Sequence, residues 1–594
     1  MYNEELLILI KKAFKKLKSK IYYDKTTLAL RDNIVKYEAE DCIEKKLDNL
    51  AKILATSDNE KIDTYIKENI LDKIKIIALP KNVPSNCKSD NTSDDNSRVI
   101  LNYEIEDKFI YNEYEDIQFF IDMPVEGHIL GMLWILLVGY KLDEKLVCCY
   151  GNRIKERLYN DKGEVSFSPY TFQPYYQNYE MWRDEALDIA QRLINDDKNT
   201  QNALILTIDF KRYYYSVDIS EIYMNDIMTE LYDNSSKKFE NIGSTLNTFI
   251  YKVCNEYSIE YYSSIQKEYK RCILPIGFYP SAILANHFLV NFDKVVIDTI
   301  NPVYYGRYVD DIIMVDKIEN GSSIYEIINS NTCDKKSIFD YYFIDDKIKI
   351  QAKVKTKANF EKESIFKLIS DNNGKKGIWK LNNYFLPSGS DRAEIFVKND
   401  KLKLFYFKNG ESDALIRCFR ELLLRNKSEF NYMPEDNAIF HNDDISEIYN
   451  ISSITTNKLR DINGLNVDKY KLSKYIGKIY RIQILVDDDY KEAISNIKQI
   501  FTPTIILDNY ILWEKIIGIC YNSKNISEYQ YIIKKIAKVI ESIDGEYSYI
   551  LKESLMNHLR SSIYRQIVFT QKNREKFNIK ELKRDNTEFL DMIN

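Results

Sequence analysis

Along the first eighty residues apolar positions recur at helical spacing. Leu6, Ile10, Ala13, Phe14, Leu17 and Ile21 fall on one face, and Lys11, Lys12, Lys15, Lys16, Lys18 and Lys20 occupy the rest of the turn. The pattern predicts a docked amphipathic helix within a helical segment over 1–80, rather than one lying on a membrane. Residues 84–98 are polar and aperiodic, which predicts a surface loop. Two apolar runs, Ala203 to Phe210 and Val303 to Val315, have strand character, and helical spacing separates them. Alternation of this kind predicts an α+β sheet domain. Beyond about residue 440 the pattern turns helical: Ile532, Ile533, Ile536, Val539 and Ile540 make one stripe, so 411–594 is predicted to be an all-α C-terminal domain with 81–410 as the sheet-bearing one. No fixed-period repeat stands out.

The apolar stretch from Ile129 to Tyr140, interrupted by Gly131 and Gly139, is too short to cross a bilayer, which needs roughly 20 residues. Lysines follow the N-terminal apolar run where a signal peptide would have small residues. A cytoplasmic protein with no membrane partner is expected. At 594 residues the chain should divide into about two to four packed units. Its net charge of −6 means that any contact with nucleic acid must come from locally gathered Lys and Arg. Nine cysteines without CxxC spacing point to free thiols and away from zinc.

Candidate chemistry concentrates in carboxylates. Asp209 ends the run Leu204 to Ile208, so a buried strand delivers an acid to its end, ahead of the aromatics Phe210, Tyr213, Tyr214 and Tyr215. Tyr308-Val-Asp-Asp311 lies between Val303-Tyr-Tyr and Ile312-Ile-Met-Val, which predicts a tight hairpin whose turn exposes adjacent acids. Adjacent carboxylates repel and favour a divalent cation, and hard ions such as Mg²⁺ prefer carboxylate oxygens, water and phosphate. Two such ions about 3.5–4 Å apart can run phosphoryl transfer. Taken alone, either acidic element could equally be a surface turn or an ordinary strand end.

Between them stand Leu274-Pro-Ile-Gly277, Phe278-Tyr-Pro-Ser281 and Ala282-Ile-Leu-Ala-Asn286. In this order the three elements resemble motifs A, B and C of reverse transcriptases over roughly 70–410. The resemblance implies a right-hand fingers and palm domain. It implies that Asp209, Asp310, Asp311 and the Phe210 carbonyl serve two Mg²⁺ ions, with Mn²⁺ an accepted substitute. It further implies that Tyr214 is the steric gate favouring deoxynucleotides, and that Gly277 and Ser281 admit the nascent base pair and start the next helix. Ile276 stands where that motif commonly has Gln. Phosphate-binding cations are expected among Lys81, Arg153 and Arg183, and among Lys347, Lys349, Lys353, Lys355 and Lys357, where Lys355 or Lys357 resembles the motif D lysine; each has an ion-paired or surface alternative. Lys401 to Phe407 looks like the strand pair preceding a thumb.

No RNase H, maturase or endonuclease appendage is recognisable. Tyr150-Gly-Asn-Arg153, the aromatic run ending Trp182-Arg-Asp184, and the helical C-terminal extension look like bacterial defence-associated reverse transcriptases of the abortive-infection and unknown-group kinds. That resemblance implies antiphage DNA synthesis from dNTPs on an RNA template or partner non-coding RNA, by a homo-oligomer or with a partner reverse transcriptase. Two alternatives stay open: a template-independent or protein-primed nucleotidyltransferase, and a non-catalytic RNA-binding scaffold with a palm fold.

Overall fold

A computed structural model describes residues 2–84, 108–155, 170–195, 201–232, 240–344, 364–409 and 449–570, with short gaps inside those spans at 24–27, 40–41, 57, 331–332, 370–377, 454–461, 468, 482–486 and 523–525. The polar loop after Pro84, the lysine-alternating segment with Lys355, and residues 411–448 lie outside the described residues. Helices and strands are mixed, and the chain is an α+β protein. It divides into two compact units that cut the sequence differently from its periodicity: Met1–Lys75 with Ile121–Lys427, and Ile76–Phe120 with Ser428–Asn594.

The first unit is built on a six-stranded sheet. Its strands are β1 (Gln201–Phe210), β2 (Tyr304–Tyr308), β3 (Asp311–Glu319), β4 (Phe366–Ile369), β5 (Ile378–Leu381) and β6 (Phe396–Phe407), ordered β2-β3-β1-β6-β5-β4. Every pairing is antiparallel. β1 lies inside the sheet, which is why it reads as an almost unbroken apolar run rather than an alternating one. Helix α1 (Tyr2–Tyr23) buries the stripe identified from its spacing. Lys16 departs from the expected solvent face: it is buried, and its ammonium donates to the Tyr170 carbonyl at 2.7 Å.

Helix α2 (Val125–Trp134) continues through a π-helical turn, Ile135–Gly139, into Tyr140–Glu144. The continuous helix spans 20 residues, longer than its apolar core suggests, and is apolar and long enough to cross a membrane; 83% of its most apolar 18-residue window is buried inside the protein. Burial, not insufficient length, is therefore what marks it as a core helix. Helix α3 (Tyr175–Ile194) covers one face of the sheet, placing Trp182, Ala186, Leu187, Ala190 and Ile194 against Ala203, Ile205, Ile313 and Val315. Each of the larger side chains contributes about 1.5–3 kcal/mol by leaving water. Helices α4 (Glu240–Ser264), α5 (Tyr279–Phe288) and α6 (Val290–Ile300) follow β1. From α6, Phe292 meets Phe210 and Phe366 at ring distances of 5.9 and 6.0 Å.

In the second unit a parallel pair, Phe109–Ile110 with Ile543–Asp544, ties the early segment to the C-terminal helices. Gly545 has φ +99°, and a Cβ there would press on the Tyr111 carbonyl. The region past residue 440 is not wholly helical, since Tyr449–Ser453 and Ile462–Val467 pair as an antiparallel hairpin. Helices follow from Lys469 to Thr570, and the Ile532, Ile533, Ile536, Val539 and Ile540 stripe is buried.

Candidate active site

Antiparallel register brings the acids together. Asp209, next to last in β1, stands directly opposite Asp311, the first residue of β3. β2 and β3 are joined by a two-residue turn, since Tyr308 pairs with Asp311 and leaves Val309 and Asp310 between them. Directly opposed side chains have Cβ atoms about 4.5–5.5 Å apart, so the three carboxylates share one small volume. The acids are half-buried rather than held out on an exposed turn. Burial, reinforced by Asp311 and Asp209, pushes Asp310 up to about 7, and burial with the Asp209 charge pushes Asp311 up to about 6. Lys401 and Lys403 pull Asp311 the other way.

The turn is strained. Val309 has φ +61°, where glycine normally stands in a II′ hairpin, and a β-branched residue there costs about 1–3 kcal/mol. What holds it is Arg307, fully buried at 0% exposure. Its Nη1 donates to the Val309 carbonyl at 2.8 Å and to Asn286 Oδ1 at 3.4 Å, and its Nη2 to the Asn286 carbonyl at 2.8 Å. The remaining donors reach Asp293, with Nε to Oδ1 at 2.8 Å and Nη2 to Oδ2 at 2.6 Å. All five N–H groups are thus used, as a buried guanidinium requires. Tyr305 donates to Asp293 as well, at 2.6 Å.

The Tyr150-Gly-Asn-Arg153 segment buttresses this hairpin from behind. The Tyr150 N–H donates to the Arg307 carbonyl, the Arg307 N–H to the Cys148 carbonyl, and Asn286 Nδ2 to the Gly151 carbonyl at 2.7 Å. A Cβ on Gly151 would sit 2.9 Å from the Val309 backbone nitrogen, so only glycine fits. Arg153 belongs to the buttress. Its Nε donates to Asp143 Oδ1 at 3.0 Å and its Nη1 to the Cys149 carbonyl at 2.7 Å, so its guanidinium is engaged in a structural ion pair where a phosphate ligand was expected. Arg183 pairs with the neighbouring Asp184 at 2.7 Å on α3. Lys81 belongs to the second unit. Lys355 lies outside the described residues.

Around the acids, Phe210 packs its ring into the core with Tyr213, Phe292 and Phe366. Tyr213 is the core tyrosine and donates to the Ala285 carbonyl at 2.7 Å. Tyr214, its neighbour, is half-buried, and burial together with the Asp310 charge raises its phenol above the ordinary range. Gly277 has φ +92°, which explains a glycine before α5. Ser281 does not start that helix. The capping position is Phe278, without a side-chain cap, and the Ser281 hydroxyl, on the third residue of the helix, is buried with no hydrogen-bond partner among the described residues.

Among the described residues, Lys401 reaches the acids directly: its Nζ is 2.5 Å from Asp209 Oδ2. Lys401 to Phe407 is not itself a strand pair; it is the second part of the single strand β6, paired along β1. Among the described residues no three His, Cys, Asp or Glu side chains are already gathered as a metal cage. Two or three carboxylates plus a main-chain oxygen nevertheless suit Mg²⁺, which keeps several waters and takes phosphate oxygens as ligands. Sequence spacing points to neither Arg307 nor Asp293, and to Gly151 and Lys401 only within the segments Tyr150 to Arg153 and Lys401 to Phe407. Arg307 had one usable signal, a charge inside an apolar strand that must find a buried partner.

No protein-family model matches the chain, and no curated protein matches it in sequence.

Proposed function

We propose that the chain is a nucleic-acid polymerase of the reverse-transcriptase kind with a palm-type sheet, joining deoxynucleotides by two-metal phosphoryl transfer in antiphage defence. One observation carries this reading: a strand-end acid, Asp209, directly faces a hairpin acid, Asp311, with Asp310 at the turn between them. Burial first, and then the charge of neighbouring acids, raises Asp310 and Asp311, and the grouping therefore favours a cation of higher charge. Asp209, Asp310, Asp311 and the Phe210 carbonyl would hold Mg²⁺, or Mn²⁺ in its place, which when bound supplies Lewis-acid stabilisation of a phosphoryl group and its leaving pyrophosphate.

The chain's own residues supply the remaining requirements. Arg307 and Gly151 fix the hairpin, so its two acids keep one geometry. Tyr214, half-buried and within electrostatic reach of Asp310, would exclude a ribose 2′-hydroxyl, and Gly277 would let main chain approach a nucleotide base. The substrates on this reading are dNTPs, the product is DNA, and RNA is the template or a bound non-coding partner. Template-independent or protein-primed addition uses the same acids and differs only in its product.

Purified full-length protein incubated with Mg²⁺ and each dNTP separately, with and without its co-purifying RNA, is expected to make a nuclease-sensitive polymer. Asp310→Asn and Asp311→Asn should each reduce incorporation at least about a hundredfold. Sequencing the product separates copying from untemplated addition. No incorporation by the wild type under any of these conditions, with phage protection intact in both Asn variants, would sink the polymerase reading in favour of an RNA-binding scaffold.

A further inference from the structure

The pairing between β1 and β6 breaks at the candidate site. Ile208 pairs with Leu402 and Phe210 with Val397, so residues 398–401 stand opposite the single residue Asp209. Such a bulge re-aims a side chain. Here its last residue is Lys401, whose ammonium lies 2.5 Å from Asp209 Oδ2. Lys403 follows two residues later, opposite Thr207 and so on the same face of the strand. Both ammonium groups act electrostatically on Asp311.

We propose that Lys401 is a built-in counter-cation of the carboxylate site: it holds Asp209 until a divalent ion arrives, and the released ammonium then faces the phosphates of the incoming nucleotide. The inference rests on the polymerase reading. Its physical basis is a competition for one oxygen. Lys401 is 44% exposed and Asp209 32%, and ion pairs so open to water are weak and exchangeable. A divalent ion brings twice the charge to the same oxygen at about 2.0–2.1 Å, closer than the ammonium can approach. Ammonium and metal ion repel at such short range, so binding of the ion weakens the hold of Lys401 on Asp209. The loosened ammonium can then pair with another anion, and the triphosphate is the anion that the reaction itself delivers. Arg153, by contrast, is already paired with Asp143.

The test uses the full-length chain as wild type, Lys401→Met, Lys401→Arg and Lys403→Met, with Mn²⁺ binding followed by electron paramagnetic resonance in the absence of nucleotide. Lys401→Met is expected to bind Mn²⁺ about two- to fivefold more tightly than wild type. Its KM for dNTP should rise about tenfold, the loss of one charged contact to phosphate. Lys401→Arg should return both values toward wild type, and Lys403→Met should change Mn²⁺ binding less than Lys401→Met does. If the wild type binds Mn²⁺ and incorporates nucleotide while Lys401→Met binds the ion no more tightly, this inference falls and the polymerase reading stands. If the wild type neither binds Mn²⁺ nor incorporates nucleotide, both fall.

Discussion

Asp310 offers a test of the electrostatics that requires no knowledge of template or primer. An aspartate that ionises near 3.8 in the unfolded chain and at about 7 in the folded protein is held as the neutral acid by burial and by its two acidic neighbours. Its folded pKa is raised, so the stability it contributes is fully present below 3.8 and is lost as pH rises through 7. At about 1.4 kcal/mol per pH unit, the stretch from pH 5.5 to 7 costs about 2 kcal/mol. Repulsion is shared among three acids, which reduces what removing one charge recovers to about 1 kcal/mol. For a unit of several hundred residues that corresponds to about 1–2 °C in Tm. Asp310→Asn removes the charge and keeps the shape. In EDTA, the wild type should lose about 1–2 °C more than Asp310→Asn between pH 5.5 and pH 8. The assay is thermal unfolding followed by tryptophan fluorescence, which favours the first unit because Trp134, Trp182 and Trp379 all belong to it. Adding Mg²⁺ at pH 8 should raise the wild-type midpoint and leave the variant's almost unmoved. Parallel pH curves for the two proteins would refute the account of a repulsive, partly dehydrated acid cluster.

Other substitutions probe the surrounding structure. Arg307→Met should destabilise the protein by about 3–5 kcal/mol in denaturant titration, because Asp293 is left buried without its cation and with the Tyr305 hydroxyl alone; adding Asp293→Leu should recover part of that loss. Gly151→Ala drives a Cβ to within 2.9 Å of the Val309 nitrogen, and should cost about 1–3 kcal/mol while lowering the nucleotide incorporation rate. Tyr214→Val should narrow the preference for dNTP over rNTP about tenfold or more in single-nucleotide incorporation; an unchanged ratio would assign the ring no part in sugar selection. Ser281→Ala removes a buried hydroxyl that has no hydrogen-bond partner among the described residues, and should leave the thermal midpoint unchanged or raise it.

Much of the architecture was legible along the chain because it depends on local periodicity. The stripe of α1, the buried run of β1, the hairpin of β2 and β3, and the stripe around Ile536 follow from which residues must leave water. So does the arrival of Asp209 at a strand end and of Asp310 and Asp311 at a turn. Tertiary structure decided what those residues meet. Register put Asp209 opposite Asp311, and a bulge nearly two hundred residues further on put Lys401 against Asp209. It placed Arg153 in the buttress, where spacing alone had left it a candidate for phosphate. It chose Tyr213 for the core and left Tyr214 beside the acids, although the two are neighbours in the same aromatic run. The reason is common to these cases. Periodicity records whether a side chain is buried, whereas the partner of a buried or half-buried charge is settled by strand register and helix packing between segments far apart in the chain, which leave no periodic trace in either segment.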